Sequence, residues 1–254
     1  MLEGKRIAAI IPALDEAENI TQVISSLPRF LDRIIVVDNG SCDGTAKAAR
    51  CAGAHVVREP RRGYGSACLA GIRTLEEDPP WCVVFLDGDG SDDPEQVLDL
   101  VLPVVRGRSD LVLASRSLGS VEPGALTPVQ RFGNILAPAL IRLVWGVTYT
   151  DLGPFRAVGW QALSLMEMSD PDFGWTVEMQ IKAARFGLRV EEIPARYRRR
   201  RQGRSKVSGT VAGSIRAGMV ILRWIFVEAL RDSVHAKRRF RKASQVLSIT
   251  AHQK

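Results

Sequence analysis

The sequence predicts an α/β fold with a mainly parallel central sheet. Short apolar segments alternate along the first half of the chain with amphipathic segments of about ten residues, the pattern of βαβ units. The predicted strands end at turn formers, such as Pro12 after the first strand and Asp38 after the second. The 254 residues, 46% of them apolar, suffice for one large α/β domain, and no repeat or low-complexity linker divides them.

The alternation sets the boundaries of the predicted elements. We predict strands over Lys5–Ile11, Arg33–Val37, His55–Arg58, Val83–Leu86, Asp110–Ala114, Leu188–Ile193 and Arg196–Arg200, with a further strand entered from the loop Asp151–Arg156. One helix is predicted to begin near Asp15, a second to end at about Ala52 after the turn that follows the second strand, and a third to begin at Pro94. Further predicted helices cover Ser66–Leu75, Thr127–Val147, Thr176–Phe186 and roughly Gly213–Leu230.

The most informative stretch begins with the buried strand Val83–Leu86 and ends in Asp87 and Asp89, one residue apart. Open α/β sheets bind their ligands at the carboxyl edge, where both side chains can project. Two close carboxylates stay ionised together most easily around a cation, and hard oxygen ligands suit Mg²⁺ or Mn²⁺, which in turn suits a diphosphate. Asp93 is predicted to cap a helix that begins at Pro94. An ordinary Asp/Gly turn before a helix cap also explains these residues.

Composition narrows the class of protein. The four cysteines form no CxxC pair, which indicates reduced thiols instead of a zinc site or a disulfide framework. The start of the chain shows no secretory signal, and no run reaches the ~18 apolar residues of a spanning helix. We therefore expect a cytoplasmic protein. The apolar segments Ile135–Val147 and Ala217–Leu230 contain arginines and could be core helices or could lie on a bilayer surface.

The formal net charge of +7 arises largely in the second half, from a basic cluster between Arg196 and Lys206. Such a cluster can meet nucleic acid, anionic lipid or a phosphorylated ligand. Nucleic acid is disfavoured, because Tyr197 is the one aromatic residue within the cluster and no nucleic-acid-binding motif accompanies it.

The glycine pair Gly63 and Gly65 has the start of a dinucleotide fingerprint. The third glycine is missing, the loop does not follow the first strand, and Arg62 is unusual at such a site. A Rossmann dehydrogenase is therefore discounted.

Several segments together resemble the inverting family 2 glycosyltransferases with the GT-A fold, and especially the dolichyl- or polyprenyl-phosphate mannose and glucose synthases. The resemblance covers Ile7 to Thr210, with Asp15 where the family usually has Asn and Asn39 where it usually has Asp. The segments follow the family's order: Ile10–Ile20, Val37–Thr45, Leu86–Glu95, Ser115–Arg116, Gln130–Asn134, Asp151–Arg156 and Arg200–Lys206.

This resemblance implies a single domain over residues 1–240, with a nucleotide-sugar-binding half at 1–115, an acceptor-binding half with amphipathic helices at 116–235, and a basic, disordered tail at 241–254. It implies that Asp87 and Asp89 bind Mg²⁺ or Mn²⁺, with Ser91 as an outer ligand, and that Asp89 is catalytic. The implied substrate-binding residues are Pro12, Leu14, Glu16 and Asp38 for the base and ribose, and Arg116, Arg131, Arg200, Ser205 and Lys206 for the phosphates.

Glu178 falls where such enzymes carry an acid near the acceptor. A hydroxyl acceptor requires a general base, which Glu178 would supply. A phosphate acceptor is already an anion, so Glu178 would instead orient the sugar. A polar residue on the exposed face of a helix is the third interpretation.

The function expected from the resemblance is transfer of mannose or glucose from a nucleotide diphosphate-sugar to a phosphorylated acceptor, in particular polyprenyl phosphate, by a protein held peripherally on the anionic inner face of the membrane. A soluble sugar or a small phosphorylated metabolite is the alternative acceptor. A sugar-phosphate nucleotidyltransferase is disfavoured, because the loop Pro12–Asn19 is acidic. A membrane-attached binding protein without turnover is disfavoured by the intact Asp87/Asp89 pair.

Overall fold

A mixed, mainly parallel sheet forms the centre of the molecule. The computed structural model describes residues 1–125, 128–199 and 218–231, the side chains of residues 128–132 excepted. Within these residues seven strands form one sheet of order β3-β2-β1-β4-β6-β5-β7, in which β6 alone runs antiparallel to both neighbours. The strands are β1 (Ile7–Ala13), β2 (Arg33–Asp38), β3 (His55–Arg58), β4 (Cys82–Phe85), β5 (Leu111–Val121), β6 (Arg156–Gly159) and β7 (Val190–Tyr197).

Helices cover both faces of the sheet, so the predicted α/β class is confirmed. Alternate residues of one strand enter opposite apolar layers: Ile10 packs in the layer that includes α3 and α7, and Ile11 in the layer that includes α1 and α4. The helices are α1 (Ile20–Ser25), α2 (Thr45–Cys51), α3 (Tyr64–Arg73), α4 (Val97–Val105), α5 (Pro128–Trp145), α6 (Trp160–Met166), α7 (Trp175–Arg185) and α8 (residues 218–231).

Most sequence-based boundaries hold within a few residues, with four differences. Strand β5 continues to Val121, whereas the sequence predicted its end at Ala114. The first helix begins at Ile20 instead of near Asp15, because a turn precedes it, and α6 was not predicted. The predicted cap is confirmed, since the Asp93 carboxylate accepts a hydrogen bond from the Glu95 backbone N–H at 3.3 Å.

The prediction of two strands over Leu188–Ile193 and Arg196–Arg200 is wrong, because one strand, β7, runs through Pro194. The strand lies at the edge of the sheet, where a residue without a backbone N–H is tolerated.

No helix in the described ranges combines the length and the hydropathy needed to cross a bilayer. The predicted helix Gly213–Leu230 is observed from residue 218 onward, and its first residues and the tail 241–254 lie outside the described ranges. The division of the chain at residue 115 stays a prediction.

Helix α3 lies so close to β1 that a side chain at Gly71 would overlap it, since an added Cβ would lie 2.6 Å from Ile10 Cγ2. We expect Gly71→Ala to destabilise the protein by about 1–2 kcal/mol, because overpacking outweighs the gain in helix propensity. The matched change Gly133→Ala within α5 meets no described atom within 4 Å and should stabilise by up to about 1 kcal/mol. Urea unfolding of both variants measures the difference, and equal effects would contradict this packing argument.

Candidate functional site

A cavity of about 300 Å³ opens where β1, β2 and β4 end. Five residues predicted from the sequence line it, namely Pro12, Leu14, Glu16, Asp87 and Asp89. Its other lining residues are Ala13, Asn39, Arg62, Gly63, Tyr64, Ala67, Gly88, Asp172 and Phe173. The cavity therefore stands at the sheet edge to which the sequence assigned the site, where the carboxyl ends of parallel strands meet.

Hydrogen bonds join the loop after β1 to the loop after β2. The Asp15 backbone N–H donates to Ser41 Oγ at 3.0 Å, and the Cys42 N–H returns a bond to Asp15 Oδ1 at 2.8 Å. Asp15 has a φ of +52°, a conformation that Asn and Asp adopt more readily than other side chains. Asp15 can thus replace the family's usual Asn, because both side chains accept this backbone and offer an oxygen.

Asp38, predicted to bind the nucleotide, supports the same turn. Its carboxylate accepts a hydrogen bond from the Ser41 N–H at 2.9 Å, and only 6% of the residue is exposed. Asp38 is not among the residues that line the cavity.

Asn39 uses its whole amide group to hold the next loop. Its Nδ2 donates to the carbonyl oxygens of Glu59 at 3.0 Å and Arg61 at 2.7 Å, and its Oδ1 accepts from the Gly63 N–H at 2.8 Å. A carboxylate cannot donate to two carbonyls. The departure from the family's usual Asp thus has a physical reason, since the loop that carries Arg62, Gly63 and Tyr64 to the cavity depends on the amide.

The loop over residues 87–93, here called the acidic loop, fixes its own carboxylates. The Ser91 N–H donates to Asp89 Oδ1 at 2.9 Å, and the Ser91 hydroxyl donates to the same oxygen. Ser91 is 2% exposed, so it orients Asp89 from behind the cavity wall. The Asp87 N–H donates to Asp92 Oδ2 at 3.1 Å. Burial raises the pKa of Asp92 to about 7 against the opposing hydrogen bond from Asp87, and the charge of Asp89 adds to the rise.

The donor set fits a hard divalent cation that is shared with a ligand. Asp87 and Asp89 bring oxygen donors to one cavity, whereas no group of three or more His, Cys, Asp or Glu in the described part of the chain could hold a metal by itself. Mg²⁺ commonly binds through one or two carboxylates and takes its remaining ligands from phosphates and water. Such an ion would bind here together with a diphosphate.

The predicted phosphate-binding residues have different surroundings. Arg116 forms a two-pronged ion pair with Asp151, with Nε and Nη2 each 2.7 Å from a carboxylate oxygen, and its guanidinium lies 5.2 Å from the Tyr197 ring. It does not line the cavity. The side chain of Arg131 and all of Arg200, Ser205 and Lys206 lie outside the described residues.

Strand β7, which precedes the segment Arg200–Lys206, and the residue after it are bonded to the acidic loop. The Arg198 N–H donates to the Ser91 carbonyl at 2.8 Å, and the Arg196 Nε lies 2.9 Å from an Asp93 carboxylate oxygen. The chain therefore enters the predicted phosphate-binding segment from a point beside Asp89.

Glu178 is fully buried, so the interpretation as an exposed helix residue is wrong. Its carboxylate accepts hydrogen bonds from the N–H and hydroxyl of Ser169 at 2.9 and 2.7 Å and from the Asp170 N–H at 2.8 Å, and it pairs with Lys182 at 2.8 Å. It does not line the cavity. Glu178 instead holds the loop over residues 167–174, here called the 167–174 loop.

The 167–174 loop supplies two lining residues, Asp172 and Phe173, that the sequence did not indicate. The loop docks on the start of α3, where the Ser66 N–H donates to the Pro171 carbonyl at 2.8 Å. A Cβ at Gly63 or Gly65 would overlap the loop backbone. This glycine pair, discounted as a dinucleotide fingerprint, is the one sequence signal that could have indicated the close approach.

Asn39→Asp should destabilise the protein by about 1–3 kcal/mol, because the new carboxylate would face two carbonyl oxygens without a proton to donate. Asp15→Asn is the matched control, with an expected change within about 0.5 kcal/mol, since the amide keeps an oxygen for the Cys42 N–H and accepts a positive φ. Chemical denaturation at neutral pH compares the two variants. Equal destabilisation would show that the Asn39 amide is not specifically required.

The sequence is similar to a glycosyltransferase family model and to individual glycosyltransferases. The family model described as glycosyl transferase family 2 matches residues 8–163. An uncharacterised glycosyltransferase of Mycobacterium tuberculosis is 36% identical over 215 residues, which cover 84% of this chain and 95% of the relative. The undecaprenyl-phosphate mannosyltransferase of Micrococcus luteus is 32% identical over 235 residues, 86% of this chain and 93% of the relative.

A solved structure has the same fold. The glucosyl-3-phosphoglycerate synthase of Mycobacterium tuberculosis, in complex with Mn²⁺, UDP-glucose and phosphoglyceric acid, shares 26% identity and a TM-score of 0.68, over 87% of this chain and 80% of that chain. The family model covers more than half of this chain. The resemblance inferred from the motifs is therefore confirmed, and the chain belongs to glycosyl transferase family 2, as a glycosyltransferase with the GT-A fold.

Proposed function

We propose that the chain transfers mannose or glucose, with inversion, from a nucleotide diphosphate-sugar to polyprenyl phosphate, with Mg²⁺ or Mn²⁺ at Asp87 and Asp89. The observation that carries this proposal is the cavity that these two carboxylates line together with Pro12 at the end of β1 and the loop residues Leu14 and Asn39. It has an apolar side suited to a base and ribose and an acidic side suited to a metal-bound diphosphate.

The protein's own groups have separate tasks in this proposal. Pro12 and Leu14 contact the nucleoside, and Arg62 brings a cation to the same lining. Asp87 and Asp89 would hold the divalent ion, which would offset the negative charge that develops on the diphosphate leaving group. Ser91 keeps Asp89 oriented through two hydrogen bonds. Glu178 orders the 167–174 loop and does not act as a base in this scheme.

Exposed apolar residues on two helices support a lipid acceptor and a peripheral position on an anionic cytoplasmic membrane surface. Helix α8 exposes Met219, Leu222, Phe226 and Leu230, which lie along one helix face, and its Arg223 and Arg231 are exposed as well. Helix α5 exposes Ile135, Leu143 and Val144. Apolar residues flanked by arginines suit the boundary between acyl chains and anionic headgroups. The relative from Micrococcus luteus is named as an undecaprenyl-phosphate mannosyltransferase, which is consistent with a lipid-phosphate acceptor.

A small phosphorylated acceptor is the second candidate. The solved synthase binds phosphoglyceric acid beside UDP-glucose and Mn²⁺. With such an acceptor, a hydroxyl group would attack and a general base would be required.

Donor binding tests the proposal directly. With Mn²⁺ present, one of UDP, GDP, CDP and dTDP at ~100 times its dissociation constant should stabilise the chain by about 2.7 kcal/mol in a thermal-shift experiment. Asp89→Ala should abolish the metal-dependent part of the shift and leave the protein folded. Asp99→Ala, which removes an exposed carboxylate on α4, is the control and should retain the full shift. No shift with any nucleotide would contradict the proposed donor site.

A transfer assay identifies the acceptor. The glucose or mannose nucleotide of the base that binds is incubated with polyprenyl phosphate in detergent or with 3-phosphoglycerate, and the glycosylated product is measured. We expect product with polyprenyl phosphate. Glu178→Gln should lower thermal stability, because a buried acceptor of several hydrogen bonds is altered, yet keep the wild-type pH dependence of kcat. Product with 3-phosphoglycerate alone, together with loss of the acidic limb of the pH profile in Glu178→Gln, would favour the second candidate.

A further inference from the structure

One side-chain contact connects helix α8 to the 167–174 loop. The Trp224 indole N–H donates to Asp170 Oδ2, and Asp170 Oδ1 accepts from the Asp172 N–H at 2.8 Å. Only 6% of Asp170 is exposed. One buried carboxylate thus links an indole on α8 to the backbone of a residue that lines the donor cavity.

The local packing is shaped for this indole. At Gly174 an added Cβ would overlap the Trp224 ring and would lie 2.6 Å from Asp170 Oδ2. The glycine therefore leaves the space in which the ring and the carboxylate meet.

Helix α8 has its own attachments to the fold, so the Trp224 contact is not needed merely to dock it. Glu228, 1% exposed, pairs with Arg185 of α7 and with Arg231 at 2.6 Å. Ile225 is 5% exposed and belongs to the apolar layer that contains Trp175 and Ile181 of α7. The indole can therefore be altered while these contacts remain.

We propose that Asp170 and Trp224 are positioning residues for the donor, which hold Asp172 and Phe173 at the wall of the cavity. This inference rests on the proposed function for its kinetic consequences. Glu178 fixes the start of the loop through Ser169 and Asp170, and Ser66 fixes its middle through Pro171. At Asp172, the Gly65 N–H donates to the carbonyl at 3.2 Å, and the Asp170 side chain holds the N–H.

Three variants isolate this hydrogen bond. Trp224→Phe removes the indole donor and keeps an aromatic ring. Asp170→Asn keeps an oxygen for the Asp172 N–H but directs an NH₂ group at the indole N–H. The double variant completes a mutant cycle, because two changes that break the same contact are not additive. Trp81→Phe is the matched control, since the Trp81 indole lies outside the 167–174 loop and its N–H donates to the Val104 carbonyl oxygen at 3.5 Å.

Hydrogen exchange on the ligand-free full-length protein gives a readout that needs no substrate. In Trp224→Phe and in Asp170→Asn the amides of residues 172–174 should exchange about tenfold faster than in the wild type, and Trp81→Phe should match the wild type. Unchanged amide exchange in both Trp224→Phe and Asp170→Asn would overturn the proposal.

Kinetics separate positioning from a general loss of folded protein. With whichever of UDP-glucose and GDP-mannose the wild type turns over, each single variant should raise the donor KM about tenfold with kcat within about twofold, and the double variant should be no worse than Asp170→Asn. A fall in kcat at unchanged KM, or multiplicative losses in the double variant, would overturn the proposal. If the wild type turns over neither of these, the glucose and mannose nucleotides of the other bases replace them as donors. If none of these donors is used, the proposed function fails, and the exchange experiment still decides whether the contact orders the loop.

Discussion

Hydrogen bonds between the loops at the carboxyl edge of the sheet hold the cavity in shape. Parallel strands β1, β2 and β4 end side by side, which brings their loops together but does not fix how the loops sit. The bonds of Asp15 to the loop after β2 and of Asn39 to the segment 59–63 fix that arrangement. Because Asn39 is only 5% exposed, each unmade bond of its amide would cost more than a surface contact would.

Among the described residues of the second half of the chain, the charged motif residues Arg116, Asp151 and Arg156 form contacts within the protein. Arg116 and Asp151 come from two separate motifs and meet in an ion pair whose side chains are 10% and 1% exposed. Arg156 is wholly buried and donates to the carbonyls of Gly153 and Thr176. Burial lowers the pKa of Arg156 to about 10, which still leaves it charged at neutral pH. These contacts join β5, β6 and α7 behind the cavity.

The 167–174 loop joins this scaffold to the site. Glu178, Ser66 and Trp224 reach it from three helices, α7, α3 and α8, and its own residues Asp172 and Phe173 face the donor cavity. A loop with few regular backbone bonds depends on such side-chain partners for its order. Helix α8 thereby contacts this loop through one side and exposes apolar residues on another.

The sequence by itself determined the sheet, the position of the acidic loop at its edge and the glycosyltransferase family, because strand and turn patterns are local and the motifs follow in order. Lining by Pro12, Leu14, Glu16, Asp87 and Asp89 follows from that edge. Only the tertiary structure decided which charged side chains form contacts within the protein. Arg116 and Glu178 look like charged substrate-binding groups in a linear sequence, yet Arg116 pairs with the buried Asp151 and Glu178 accepts a hydrogen bond from the backbone N–H of the buried Asp170. Asp172 and Phe173 likewise reach the cavity through contacts more than 100 positions away in the chain, such as Ser66 with Pro171, and no local pattern encodes a contact between distant segments.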